Sequence, residues 1–141
     1  MGGRVLLAED STILQRLLAD ALRAHGVADT VESFDDGNAL LSAFRLYAQA
    51  GQPLSLVILD VELPGGPDGL VVGRTLRALE TQLGVAARAP ILFFSAHPED
   101  DAITRAVADC APAHYVQKTD ASPAGIAYEG ARFMRTFIAG G

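Results

Sequence analysis

Three short apolar runs contain no polar residue: Val5-Leu6-Leu7-Ala8, Leu56-Val57-Ile58-Leu59 and Ile91-Leu92-Phe93-Phe94. An amphipathic strand would alternate, and a helical face would space its apolar residues by three and four. Unbroken runs of four fit strands covered on both faces, as the inner strands of a parallel sheet are. Two weaker runs, Thr30-Val31-Glu32-Ser33-Phe34 and His114-Tyr115-Val116-Gln117, read as edge strands.

Helical spacing fills the intervals. Ile13, Leu14, Leu17, Leu18, Ala21 and Leu22 form one stripe, closed by Gly26. Ala39, Leu40, Ala43, Phe44 and Tyr47 form a second; Leu70, Val71, Leu76 and Leu79 form a third, loosened by Gly73. A fourth starts at Pro98, carries Ile103, Ala106 and Val107, and is barred from continuing by Pro112. Ser122-Pro123 supplies an N-cap and first-turn pair for a fifth, with Ile126, Ala127, Met134, Phe137 and Ile138 along it. Gly125 and Gly130 each cost that helix about 1 kcal/mol against Ala, so it relies on packing.

A strand followed by a helix, five times over, predicts an α/β fold with an open parallel sheet and helices on both faces. The chain of 141 residues, half of them hydrophobic, suits a single domain, 1–141, with a core over about 4–138. No apolar run reaches the roughly 18 residues of a membrane span, and an acid interrupts the N-terminus before any signal-like apolar region. Cys110 is the only cysteine, which excludes an intramolecular disulfide and fits a cytoplasmic setting. With net charge −6 and no basic cluster, direct nucleic-acid binding is disfavoured. Among the 11 basic residues Lys118 alone is a lysine, which marks a position where an ammonium differs from a guanidinium.

The polar residues that end the runs define the chemistry. The first run ends in Glu9-Asp10, the third in Asp60, the fourth in Ser95 and the fifth in Lys118. Open α/β sheets bind ligands beyond the carboxyl ends of their strands, so these groups converge on one edge. Carboxylates brought together need a cation, and Mg²⁺ takes such oxygen ligands together with phosphate. Zinc spacing of Cys and His is absent. A carboxylate can attack phosphorus to give an aspartyl-phosphate. It needs no general base, since an ordinary carboxylate is deprotonated at pH 7.

On Leu7-Ala8-Glu9-Asp10, Ile58-Leu59-Asp60-Val61-Glu62-Leu63-Pro64 with Asp68-Gly69, Phe94-Ser95-Ala96 and Tyr115-Val116-Gln117-Lys118, the chain resembles a receiver domain of two-component response regulators, similar to the single-domain chemotaxis type. The resemblance implies a flavodoxin-like, doubly wound, five-stranded sheet in order 2-1-3-4-5. It implies Asp60 as phosphoacceptor, and Mg²⁺ held by Glu9, Asp10, Asp60 and the main-chain carbonyl of Glu62. Lys118 would pair with Asp60 and then with the phosphoryl group, Ser95 would hydrogen-bond a phosphoryl oxygen, and Ala96 would leave the group room to enter. Tyr115 would be the aromatic switch residue. Glu62 and His97, at the pocket mouth, would tune the lifetime of the phosphorylated state. The implied partners are a histidine kinase or histidine phosphotransfer protein and a protein target, with the chain a monomer or weak dimer.

Three features depart from the family. Thr119 stands where a proline, joined by a cis peptide, usually follows the lysine. The loop Leu63–Gly69 is one residue longer than usual, and the connection from Gln82 to Ala89 is extended. His25 and His114 read as structural, Phe137 as core, and Phe133 as either core or part of an exposed patch. Other readings of the same residues are a receiver cut from a longer regulator or hybrid kinase and an aspartyl phosphatase with Glu62 as acid. A receiver-like scaffold that never carries phosphate is another. The expected role is a switch that performs self-phosphotransfer and autodephosphorylation only.

Overall fold

A computed structural model describes residues 3–118 and 122–140, the last four of these by backbone alone. The three apolar runs become β1 (Gly3–Ala8), β3 (Leu56–Asp60) and β4 (Ile91–Ser95), and the weaker runs become β2 (Ala28–Phe34) and β5 (Ala113–Gln117). All neighbours pair in parallel, in the order β2-β1-β3-β4-β5, so the weaker runs form the edges. The helices are α1 (Thr12–Ala24), α2 (Gly37–Gln49), α3 (Gly69–Leu83), α4 (Asp101–Asp109) and α5 (Pro123–Gly140). This is the flavodoxin-like arrangement.

Alternation within the buried strands divides the core into two layers. Val5 and Leu7 pack with Leu18 and Leu22 of α1 and Ile126 and Ala127 of α5. Leu6 and Ala8 face the other way, toward Leu40 and Phe44 of α2 and Leu76 of α3. Each such Leu, Ile or Phe contributes about 1.5–3 kcal/mol through its buried area. Phe93 and Phe94 are both fully buried, on opposite faces of β4. The α1 stripe is narrower than its sequence implies: Ile13 and Leu17 are exposed, because only one flank of α1 reaches the sheet.

Helix starts follow local hydrogen bonding. The side chains of Ser11, Asp36, Asp68 and Asp100 each accept a backbone N–H three residues on, and Ser122 accepts from Gly125. Asp100 rather than Pro98 therefore opens α4. Gly84 closes α3 at φ 67°, a left-handed conformation that costs glycine little. Gly73 does not loosen α3, which runs without a break. A Cβ there would lie 2.7 Å from the Phe93 ring, so the glycine lets α3 lie against β4.

One buried polar cluster has no counterpart in the sequence reading. Arg77 of α3 donates to Glu80 Oε1 at 2.7 Å, to Cys110 O at 2.9 Å and to Pro112 O at 3.1 Å. Glu80 Oε2 accepts from Ala89 N at 2.7 Å, which pins the end of the extended connection before β4. Phe133 is half-buried against the core and stacks on His114 with ring centroids 5.7 Å apart. The expectations for the side chains of Phe137 and Ile138, and for the Lys118–Thr119 peptide, lie outside the described residues.

Candidate functional site

The strand order reverses its direction of winding between β1 and β3, and the carboxyl ends of the strands there are where open sheets of this kind bind ligands. Glu9 and Asp10 leave β1, Asp60 ends β3, Ser95 ends β4, and Lys118 follows β5. Lys118 N donates to Ser95 O at 2.6 Å, which sets the start of the ammonium side chain beside β4. Gly69 closes the loop after β3 onto the strand itself: a Cβ there would lie 2.2 Å from Asp60 O.

Lys118 Nζ lies 3.0 Å from Asp60 Oδ2 and 3.0 Å from Glu9 Oε1. It also sits 4.6 Å from the centroid of the Phe94 ring, whose face favours a cation. Asp60 and Glu9 are both buried, and Asp10 is exposed at the rim. Carboxylate oxygens of Glu9, Asp10 and Asp60 all lie within 4.8 Å of one another. Two of these three acids thus share one ammonium. Burial pushes the Glu9 carboxyl up to about 7, with Asp60 adding to the rise, while the Ser11 N–H and Lys118 oppose it. Burial alone would lower Lys118, but hydrogen bonds and charge from Asp60 and Glu9 hold it above its ordinary value.

This donor set fits a hard divalent cation. It is all oxygen, it is anionic in excess of its one lysine, and the exposed Asp10 leaves a face for water. Asp60 Oδ1 also accepts from Glu62 N at 2.9 Å, which fixes the carboxylate plane. Gln15 braces the neighbouring turn, donating to Glu9 O and, at 2.9 Å, to Asp35 Oδ1. Gln15 carries no signal in the sequence, since it sits on the polar side of an amphipathic stripe.

The structure gathers Glu9, Asp10, Asp60 and Lys118 into one cluster, and places Ser95, Ala96, Glu62, His97 and Tyr115 in a second beside it. Ser95 is fully buried; its hydroxyl donates to Glu62 Oε1 at 3.2 Å and accepts from His97 N at 3.1 Å. Glu62 Oε2 meets His97 Nε2 at 2.7 Å. Glu62 and His97 each stand two residues beyond the end of adjacent strands, which lets their side chains meet directly. Ala96, next to Ser95, is exposed. Tyr115 is half-buried, and its hydroxyl donates to His97 O and, at 3.4 Å, to Ser95 O. Burial raises its phenol, and the Ser95 contact opposes that rise.

The family model described as "Response regulator receiver domain" matches residues 5–124. No curated protein matches the sequence. Among solved structures, the receiver domain of the histidine kinase CKI1 from Arabidopsis thaliana (a D1050A mutant) is similar with a TM-score of 0.79 and 21% identity, over 98% of this chain and 91% of that one. The same receiver complexed with Mg²⁺ and BeF₃⁻ gives 0.74 and 22%, over 92% and 90%. A CheY-like receiver domain protein from Methanospirillum hungatei gives 0.76 and 15%, over the full length of both chains.

Proposed function

Since the chain belongs to the response regulator receiver domain family of two-component signalling, we propose that it is a phosphorylation-controlled switch whose phosphoacceptor is Asp60. The observation that carries this is the contact of Lys118 Nζ, 3.0 Å from each of two buried acids, at a strand end where a third acid lies within reach. A similar receiver binds Mg²⁺ with BeF₃⁻, which supports the cation and phosphoryl assignments.

In this reading a histidine kinase or histidine phosphotransfer protein presents a phosphohistidine. A carboxylate oxygen of Asp60 attacks phosphorus, and the P–N bond breaks with its electron pair returning to the imidazole. Glu9, Asp10, Asp60 and the Glu62 carbonyl would hold Mg²⁺, which offsets charge on the transferred oxygens when bound. Lys118 moves its contact from Asp60 to a phosphoryl oxygen, Ser95 donates to another, and Ala96 leaves space for the group. Tyr115 then changes place with the 95–97 segment and alters the face made by α4, β5 and α5, where a protein target binds. Glu62 and His97 set the lifetime of the adduct by placing or screening the attacking water. The protein turns over no external substrate.

Incubation with Mg²⁺ and acetyl phosphate, followed by intact-mass measurement, tests the reading. One added phosphoryl group is expected, absent in Asp60→Asn and absent when Mg²⁺ is chelated. No adduct on the wild type under any donor would remove the phosphoacceptor role.

A further inference from the structure

The Ser95 hydroxyl has one proton, and that proton is already committed. It points to Glu62 Oε1 at 3.2 Å. The acceptor is held in place from the far side, because Glu62 Oε2 contacts His97 Nε2 at 2.7 Å. His97 closes the ring through its own backbone, since its N–H donates back to Ser95 Oγ at 3.1 Å. The ring spans two loops, one after β3 and one after β4. Tyr115 fastens the second loop from β5 by donating to His97 O.

We propose that Glu62 and His97 form a latch that keeps the Ser95 hydroxyl turned away from Asp60 until a phosphoryl group is present. The proposal rests on the phosphoacceptor reading above. A phosphoryl group on Asp60 can receive the Ser95 proton only if the bond to Glu62 is given up. The latch therefore opposes the phosphorylated state without touching Asp60 through its carboxylate. It is an autoinhibitory contact, and Glu62 and His97 act as positioning residues through Ser95. Both side chains are well exposed, at 50% and 66%, so their removal leaves the core intact.

Binding of trifluoroberyllate in the presence of Mg²⁺, followed by calorimetry, reads the latch without any chemical step. Glu62→Ala is expected to bind the probe about tenfold more tightly, the scale of one charge-assisted hydrogen bond released. His97→Ala should give a smaller gain, about threefold, because it removes the brace and leaves the acceptor. In a Ser95→Ala background, Glu62→Ala should give no gain. A gain that persists without Ser95 would reduce the effect to charge repulsion and overturn the latch. Unchanged affinity in Glu62→Ala, with normal wild-type binding, would overturn the latch alone. No probe binding by the wild type would overturn the phosphoacceptor reading and the latch with it.

Discussion

Two regions of this molecule bury charge, and they do it in opposite ways. Near the amino ends of the strands Arg77 and Glu80 form a closed set: the guanidinium has Glu80 and two backbone carbonyls, and the carboxylate has Arg77 and the Ala89 N–H. At the carboxyl ends Glu9 and Asp60 share Lys118 while Asp10 lies close by, and Glu9 is pushed up to about 7 by burial and by Asp60. The first region is electrically complete. The second is short of positive charge, and that shortage is what a cation and a phosphoryl group would exploit. A perturbed, incompletely neutralised cluster in a crevice marks function better than a buried ion pair does.

The comparison breaks first, and most visibly, at Arg77. Arg77→Ala leaves Glu80 buried without its cation and two carbonyls without a donor. A loss of about 3–5 kcal/mol of unfolding free energy is expected in denaturant titration. A neutral result would mean that the closed set is not structural. Next comes the cation itself. Mg²⁺ at 100 times its dissociation constant should stabilise the wild type by about 2.7 kcal/mol, and Asp10→Asn should forfeit most of this. If Arg77→Ala removed the Mg²⁺ effect as fully as Asp10→Asn, the two regions would not be separate. Lys118→Ala should act in the opposite sense on the cation. With the ammonium gone, Mg²⁺ should bind about tenfold more tightly, while stability without Mg²⁺ falls by about 1–3 kcal/mol from lost charged hydrogen bonds. Weaker Mg²⁺ binding in this variant would contradict the picture of competing cations.

The two regions also differ in how far they can be read from sequence. Each inner strand announces itself as an unbroken apolar run, and the residue that ends it is polar. Glu9, Asp60 and Ser95 therefore stand out from their surroundings, and Lys118, after an edge strand, stands out as the single lysine. Arg77 and Glu80 do not, because an i,i+3 pair of opposite charge on a helix looks like a solvated face. What buries Arg77 is a pair of carbonyls 33 and 35 residues away, and a backbone carbonyl has no sequence signature. Gly73 misleads for a related reason. It reads as a weak point in a helix, but its lack of Cβ serves the Phe93 ring on another element. Ile13 and Leu17 mislead in the opposite direction, since periodicity defines a stripe without saying how much of it finds a partner.

The smallest effect is a pH dependence that belongs to the open cluster. Burial holds the Glu9 carboxyl up at about 7 in the folded protein, above its ordinary 4.5. Between those values the folded state holds a proton that the unfolded state has released. Stability from this group is therefore full below about 4.5 and declines as pH rises toward 7. Glu9→Gln should flatten that part of the stability profile. Saturating Mg²⁺ should flatten it as well, because a bound cation favours the deprotonated Glu9. By the same linkage, Mg²⁺ affinity should fall as pH drops below about 7 in the wild type, and fall less steeply in Glu9→Gln. Parallel slopes for the two proteins would show that Glu9 does not share the cation site, and would leave Asp10 and Asp60 to hold it.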